Sequence, residues 1–87
     1  MKEILVTGGL GYIGSHFCAA LDPFKYSIVI IDNCINSSKK QLSNIKKINN
    51  KINIDFYNID LQDSAAVNQI FKNYKFDSVV HFAALKS

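Results

Sequence analysis

Apolar positions along the chain switch repeatedly between strand-like runs and helical spacing. Ile4-Leu5-Val6 centres a short segment, Glu3 to Thr7, that predicts a first strand ended by a Gly cluster. From Tyr12 to Leu21, the apolar residues Ile13, Phe17, Ala20 and Leu21 fall at i, i+4, i+7 and i+8, one face of a helix. Asp22-Pro23 stops it, because the residue before Pro is pushed out of the α region. Tyr26 to Asp32 predicts a second strand. Its Ile28-Val29-Ile30-Ile31 run does not alternate, as expected of a parallel strand covered on both faces. Asn33 to Ser38 is turn-rich, and Ser37 or Ser38 is placed to cap a second helix. Leu42, Ile45 and Ile48 mark that helix's apolar face; Lys39, Lys40, Lys46 and Lys47 occupy the rest. From Ile52 to Ile59 the pattern partly alternates, with Ile52, Ile54 and Phe56 one way and Asn53, Asp55 and Tyr57 the other. That predicts a third strand with one wetter face, suited to a sheet edge. Asp63 or Ser64 caps a third helix carrying Val67, Ile70, Phe71 and Tyr74 at i, i+3, i+4 and i+7. Asp77 to Phe82 is a fourth strand around Val79-Val80.

The order β-α-β-α-β-α-β implies a parallel sheet with right-handed helical crossovers. A doubly wound order 3-2-1-4 puts the wetter third strand at the edge and the apolar second strand inside. The expected class is α/β, a partial Rossmann-like sheet, with residues 1–87 forming one half-domain.

Composition narrows the classes. The chain has 87 residues, 48% of them hydrophobic, so a core is intended. Domains this small bury only roughly 60% of their unfolded surface and are marginal unless stapled or assembled. Two Cys, Cys18 and Cys34, match no metal or redox spacing and read as thiols of a reducing cytosol. The net charge of +3 comes with ten Lys and no Arg, which argues against a base-reading nucleic-acid binder. The Lys cluster of the second helix reads as a solvated face. No apolar run approaches the length of a membrane span, and no signal peptide is visible, so the cytoplasm is the expected location.

The candidate chemistry lies in Thr7-Gly8-Gly9-Leu10-Gly11-Tyr12-Ile13-Gly14, which holds all four Gly of the chain. It follows a strand and opens a helix. It can be read as GxGxxG from Gly9 or as GxxGxxG from Gly8. In either register one Gly permits the tight turn, Gly11 admits a diphosphate to the backbone, and Gly14 lets the helix pack close to the sheet. Exposed N–H groups and the helix dipole then attract the anion. Asp32 ends the second strand, where an acidic residue accepts hydrogen bonds from a ribose 2′-hydroxyl and repels a 2′-phosphate, favouring NAD over NADP. Asp60 follows the third strand, and Phe82-Ala83-Ala84 the fourth. All these positions share the carboxyl-end rim of the sheet, where open α/β folds bind ligands. Tyr12 stands at the mouth of the loop. His16 and His81 have no carboxylate or Ser partner placed by the sequence and read as structural.

TGGLGYIGSH at Thr7–His16, IDNCINS at Ile31–Ser37, Asp60-Leu61 and HFAALKS at His81–Ser87 together resemble the amino-terminal part of the UDP-glucose 4-epimerases, within the extended short-chain dehydrogenase/reductase superfamily. Ala84 stands where that family often has Gly. Other sugar-nucleotide epimerases and dehydratases share TGxxGxxG and HxAA and remain alternatives; Asn36-Ser37 and Leu85-Lys86 favour the 4-epimerases. The resemblance implies that Gly8, Gly11, Tyr12, Ile13 and Gly14 surround the NAD diphosphate. It places the adenine ribose on Asp32, with Asn33, Asn36 and Ser37 beside it, and adenine on Asp60 and Leu61. Phe82, Ala83 and Lys86 would line the path toward the nicotinamide ribose. The implied reaction oxidises C4 of a UDP-hexose and returns hydride to the other face, interconverting UDP-glucose and UDP-galactose. Its base is the Tyr of a Tyr-x-x-x-Lys motif. Here the residues four positions beyond Tyr12, Tyr26, Tyr57 and Tyr74 are His16, Ile30, Leu61 and Ser78, so the motif is absent. Two expectations follow: the front of an epimerase without its substrate domain, or a non-catalytic dinucleotide-binding remnant. Either is inactive alone, and the bare edge of the fourth strand invites self-association.

Overall fold

The computed structural model describes residues 1–34 and 40–82. Seven elements alternate: β1 (Lys2–Thr7), α1 (Tyr12–Ala20), β2 (Tyr26–Ile31), α2 (Lys40–Ile48), β3 (Asn53–Tyr57), α3 (Ser64–Asn73) and β4 (Ser78–His81). The strands form one parallel sheet in the order β3-β2-β1-β4, as the polarity of β3 required. Thr7 lies opposite Ile31 on one side and His81 on the other, and Ile31 lies opposite Tyr57. All four strands therefore end in one row.

Period-2 alternation sorts the strand residues into two layers. Ile4, Val6, Ile28, Ile30 and Ile52 pack with Leu10, Cys18 of α1 and Ile45 of α2. Leu5, Val29 and Ile31 pack with Ile70 of α3 on the opposite face. The β3 pattern divides as expected: Ile54 and Phe56 join the first layer, Tyr57 the second. Each side chain fully buried in these layers stabilises the fold by about 1.5–3 kcal/mol.

The helix ends have identifiable causes. α1 stops at Ala20, one residue earlier than its apolar spacing predicts, because Leu21 turns to extended backbone. Buried Asn49, just beyond α2, donates its amide to the carbonyls of Leu21 at 2.7 Å and Cys18 at 3.5 Å. It thereby supplies a donor to the Leu21 carbonyl at the helix end and a second one to Cys18, which also accepts the Leu21 N–H at 3.4 Å. Asp63 caps α3, its carboxylate accepting the Ala66 N–H at 3.2 Å. The expected Ser37 or Ser38 cap of α2 lies outside the described residues.

Four residues assigned to apolar helix faces stand exposed: Ile13 and Ala20 of α1, Phe71 of α3, and Ile48 of α2. Ile48 is 74% exposed, whereas Ile45 is buried and Leu42 packs half-buried against the core. Steps of three residues fall short of a full helical turn, so Leu42 and Ile48 stand on opposite margins of the face that Ile45 centres. Ile48 opens onto a shallow groove of about 310 Å³ between α1 and α2, lined also by Ala19, Ala20 and Gln41. Among the described residues, no helix is long and apolar enough to cross a membrane.

Candidate functional site

The Gly loop leaves the middle of the sheet and turns at once into α1. Gly8 donates its N–H to the Ile31 carbonyl at 2.8 Å and has φ 69°, a left-handed conformation that favours Gly. The Gly11 N–H then returns to the Gly8 carbonyl at 3.1 Å. Gly11 is the extended N-cap of α1, with no side-chain cap and no acidic residue in the first turn. α3, by contrast, is closed by Asp63. The first N–H groups of α1 are thus left for an external acceptor, at the positive end of the helix dipole. Tyr12 and Ile13 flank this opening, 76% and 56% exposed.

The steric roles of the glycines differ from expectation. A Cβ on Gly14 would lie 2.4 Å from the Gly8 oxygen and 2.9 Å from the Gly9 Cα, so Gly14 lets α1 close onto the loop itself. The close approach to the sheet belongs to Gly9, whose Cβ would meet the Ile30 side chain at 2.8 Å.

Asp32 is the hinge of the site. Only 6% exposed, it follows β2 and reaches sideways to the loop. One carboxylate oxygen accepts the Leu10 N–H at 3.1 Å; the other accepts the Cys34 N–H at 2.8 Å. Cys34 has φ 62°, a left-handed conformation that turns its N–H back toward the carboxylate. These backbone donors orient the carboxylate between the Gly loop and the turn after β2. Asn33, beside it, is exposed.

The other predicted residues reach the same rim by strand register. Asp60 is exposed, three positions beyond β3, and its carboxylate accepts the Gln62 N–H at 2.9 Å; Leu61 is 37% exposed. Phe82 continues β4, donating its N–H to the Thr7 carbonyl at 2.9 Å and packing its ring 5.4 Å from that of Phe17. Asn36, Ser37, Ala83 and Lys86 lie outside the described residues.

Sequence reasoning left His81 without a partner. The structure gives it one: Thr7 Oγ1 is hydrogen-bonded to His81 Nδ1. The available signal was register, since each residue ends one of two adjacent parallel strands. His16, also read as structural, stays exposed on α1, its Nδ1 bonded to the Tyr12 carbonyl at 3.0 Å. Of the perturbed groups, burial pushes the Cys18 thiol up to about 12, which makes it inert at neutral pH. Burial, then hydrogen bonds to Tyr57 and Asp55, raise the Tyr74 hydroxyl, which ties the end of α3 to β3. Among the described residues, no cluster of His, Cys, Asp and Glu is placed to hold a metal ion.

The site can therefore take an anionic group at the opening of α1 and a hydroxyl-bearing group at Asp32. Comparison with known proteins shows where that arrangement recurs. The model of one protein family, GDP-mannose 4,6 dehydratase, matches residues 5–87. The chain belongs to this family. Within it, the chain is similar to UDP-glucose 4-epimerase 2 of Arabidopsis thaliana, with 47% identity over 88 residues, covering 99% of this chain and 25% of that protein. It is 48% identical over 84 residues to the UDP-glucose 4-epimerase of Bacillus subtilis, covering 97% of this chain and 24% of that one. A UDP-glucose-4-epimerase from Stenotrophomonas maltophila, solved with bound NAD and formylated UDP-arabinopyranose, superposes with a TM-score of 0.87. Identity there is 37%, over 100% of this chain and 26% of the other. This family member thus spans about a quarter of the length of the relatives it matches. The similarity runs through the Gly loop and Asp32, the segments that carried the resemblance in the sequence.

Proposed function

We propose that this chain binds NAD along the carboxyl-end rim of its sheet, as the cofactor-holding portion of a UDP-glucose 4-epimerase. The observation that carries the reading is the bond from the Leu10 N–H to Asp32, which joins the anion-accepting loop and the ribose acceptor into one unit. The diphosphate lies over Gly8, Gly11 and the N–H groups of Tyr12, Ile13 and Gly14. The adenine ribose lies on Asp32, beside Asn33, Asn36 and Ser37, with adenine toward Asp60 and Leu61. Phe82, Ala83 and Lys86 border the nicotinamide half. When bound, NAD supplies reversible hydride acceptance; these residues bind and orient it.

In a complete enzyme the substrate is a UDP-hexose, and the reaction interconverts UDP-glucose and UDP-galactose through a 4-keto sugar, a step of galactose metabolism. The cytoplasm suits the two free thiols, Cys18 and Cys34. The 87 residues hold no Tyr-x-x-x-Lys motif, so no group here is assigned to deprotonate the C4 hydroxyl.

Titration calorimetry tests the reading. NAD should bind, and bind more tightly than NADP. Asp32→Ala should weaken NAD by about tenfold or more, the cost of a charged hydrogen-bond acceptor, and narrow the preference over NADP. Unchanged affinities for both cofactors would remove Asp32 from the site. No turnover of UDP-galactose is expected from these 87 residues, and measurable conversion would overturn that part of the reading.

A further inference from the structure

The rim opposite the Gly loop carries a row of cations. Each strand is entered from a Lys: Lys2 opens β1, Lys25 directly precedes β2, Lys51 stands two residues before β3 and Lys75 three before β4. Strand pairing sets these positions side by side, since Lys2 lies opposite Tyr26, Ser27 opposite Asn53 and Ile4 opposite Ser78. The Lys2 N–H also bonds the Lys25 carbonyl at 2.9 Å. With strands about 4.8 Å apart, the row runs roughly 15 Å across the amino end of the sheet. All four Lys are exposed.

Three acids share this rim, and each is turned onto a donor of the chain itself. Glu3 accepts the Ser27 hydroxyl, Asp77 the Glu3 N–H at 2.7 Å and Asp22 the Phe24 N–H at 2.9 Å. Lys46, Lys47 and Lys72 answer helix dipoles from the last turns of α2 and α3, whereas the four Lys of the row lie outside the helices. Asp32, Asp60 and Asp63 all lie at the other rim. Within the basic row stands Phe24, 74% exposed. It borders a shallow hollow of about 390 Å³ lined also by Lys2, Lys25 and Tyr26. The Lys51 ammonium lies 5.5 Å from the centre of its ring.

We propose that this rim docks on an anionic membrane surface, with the Lys row along the lipid headgroups and Phe24 entering the boundary between headgroups and acyl chains. Docking of this kind needs no spanning helix. Lys is a compact point charge and suits headgroups that demand no bidentate geometry. A stacked nucleic-acid base fits less well, because Lys51 already covers one face of the Phe24 ring. The Gly loop and Asp32 lie at the opposite end of the strands, so the inference does not depend on the dinucleotide reading.

The test is co-sedimentation of the chain with phosphatidylcholine vesicles, with and without about one-third phosphatidylserine, in about 0.1 M salt. Binding is expected only to the vesicles that contain phosphatidylserine, and should fall at least about tenfold in about 0.5 M salt. Lys25→Gln and Lys51→Gln should each weaken it about fivefold. Lys40→Gln, the same loss of charge at the opposite rim where α2 begins, should change it less than about twofold. Phe24→Ser should weaken it about tenfold. The chain has no Trp, so Phe24→Trp supplies a single indole. Its emission should shift to the blue on phosphatidylserine vesicles and be quenched by brominated lipid. Circular dichroism checks folding, and if one variant fails to fold, the others carry the comparison. No sedimentation with phosphatidylserine vesicles, equal losses in the Lys25 and Lys40 variants, or an unshifted indole overturns the proposal. Single-stranded DNA or polyglutamate binding the chain more tightly than these vesicles would assign the row to another anion and overturn it as well.

Discussion

Gly9 and Gly14 are the same residue with different neighbours, and their substitutions should separate accordingly. At Gly14 an added methyl meets backbone, the Gly8 oxygen at 2.4 Å and the Gly9 Cα at 2.9 Å, which cannot move without opening the loop. At Gly9 it meets side-chain rather than backbone atoms, Ile30 Cγ2 at 2.8 Å and Cγ1 at 3.1 Å, in a buried β-branched residue that can give only by a small adjustment of the core. Gly14→Ala should therefore lower stability by roughly 2–4 kcal/mol and abolish measurable NAD binding, as overpacking against rigid atoms does. Gly9→Ala should cost about 1 kcal/mol and keep binding within tenfold. Urea unfolding curves and NAD titrations of the two variants check the ranking, and equal losses would contradict it. The sequence motif names both glycines but not the atoms against them. That is why it assigned the approach to the sheet to Gly14 when Gly9 makes it.

Elements follow the apolar pattern closely, and the departures come from contacts between elements. The pattern placed every strand, ordered the sheet and identified Asp63 as a candidate cap, because each depends on local spacing or on which face is wet. It did not place Ile13, Phe71 or Ile48, which share the apolar spacing but stand at the margins of the faces that pack. It also gave no role to Asn49, which reads as loop polarity until the end of α1 is brought beside it. The same limit applies to the site. Asp32 was legible as a strand-end acid, whereas its bonds to Leu10 and Cys34 and the pairing of Thr7 with His81 exist only once strands lie side by side. Asn49 makes this testable. Its amide satisfies the Leu21 carbonyl at 2.7 Å from a position only 8% exposed. Asn49→Leu removes the amide donor of the Leu21 carbonyl, while Cys18 keeps the Leu21 N–H, which should cost about 1–3 kcal/mol. Asn49→Asp, which exchanges a donor for a buried charge, should be worse. Thermal denaturation of the pair decides the matter, and a Leu variant as stable as wild type would show that water or backbone adjustment replaces the amide.

At the scale of the whole molecule, the two edges of the sheet are built unequally. β3 carries Asp55 and Asn53, both exposed, and a carboxylate on an edge strand discourages pairing with another chain. Among the described residues, β4 pairs only with β1, and its Ser78-Val79-Val80-His81 segment contains no Lys, Pro or carboxylate. Val79 is 51% exposed. Among the described residues no strand lies on the outer side of β4, so its N–H and C=O groups stand beside an apolar side chain, the combination that recruits a further strand. Four residues make a short ladder, far below the roughly 800 Å² per partner of a standard stable interface. Any association through it alone should be weak and concentration-dependent. Sedimentation velocity across a range of protein concentrations should show reversible self-association, and Val79→Lys should weaken it at least tenfold without changing the melting temperature by more than a few degrees. Because the proposed NAD rim lies at the strand ends rather than along the β4 edge, NAD affinity should be the same in the Lys variant. Association that persists undiminished in Val79→Lys would place the contact elsewhere, with the α1–α2 groove and its exposed Ile48 the next surface to mutate.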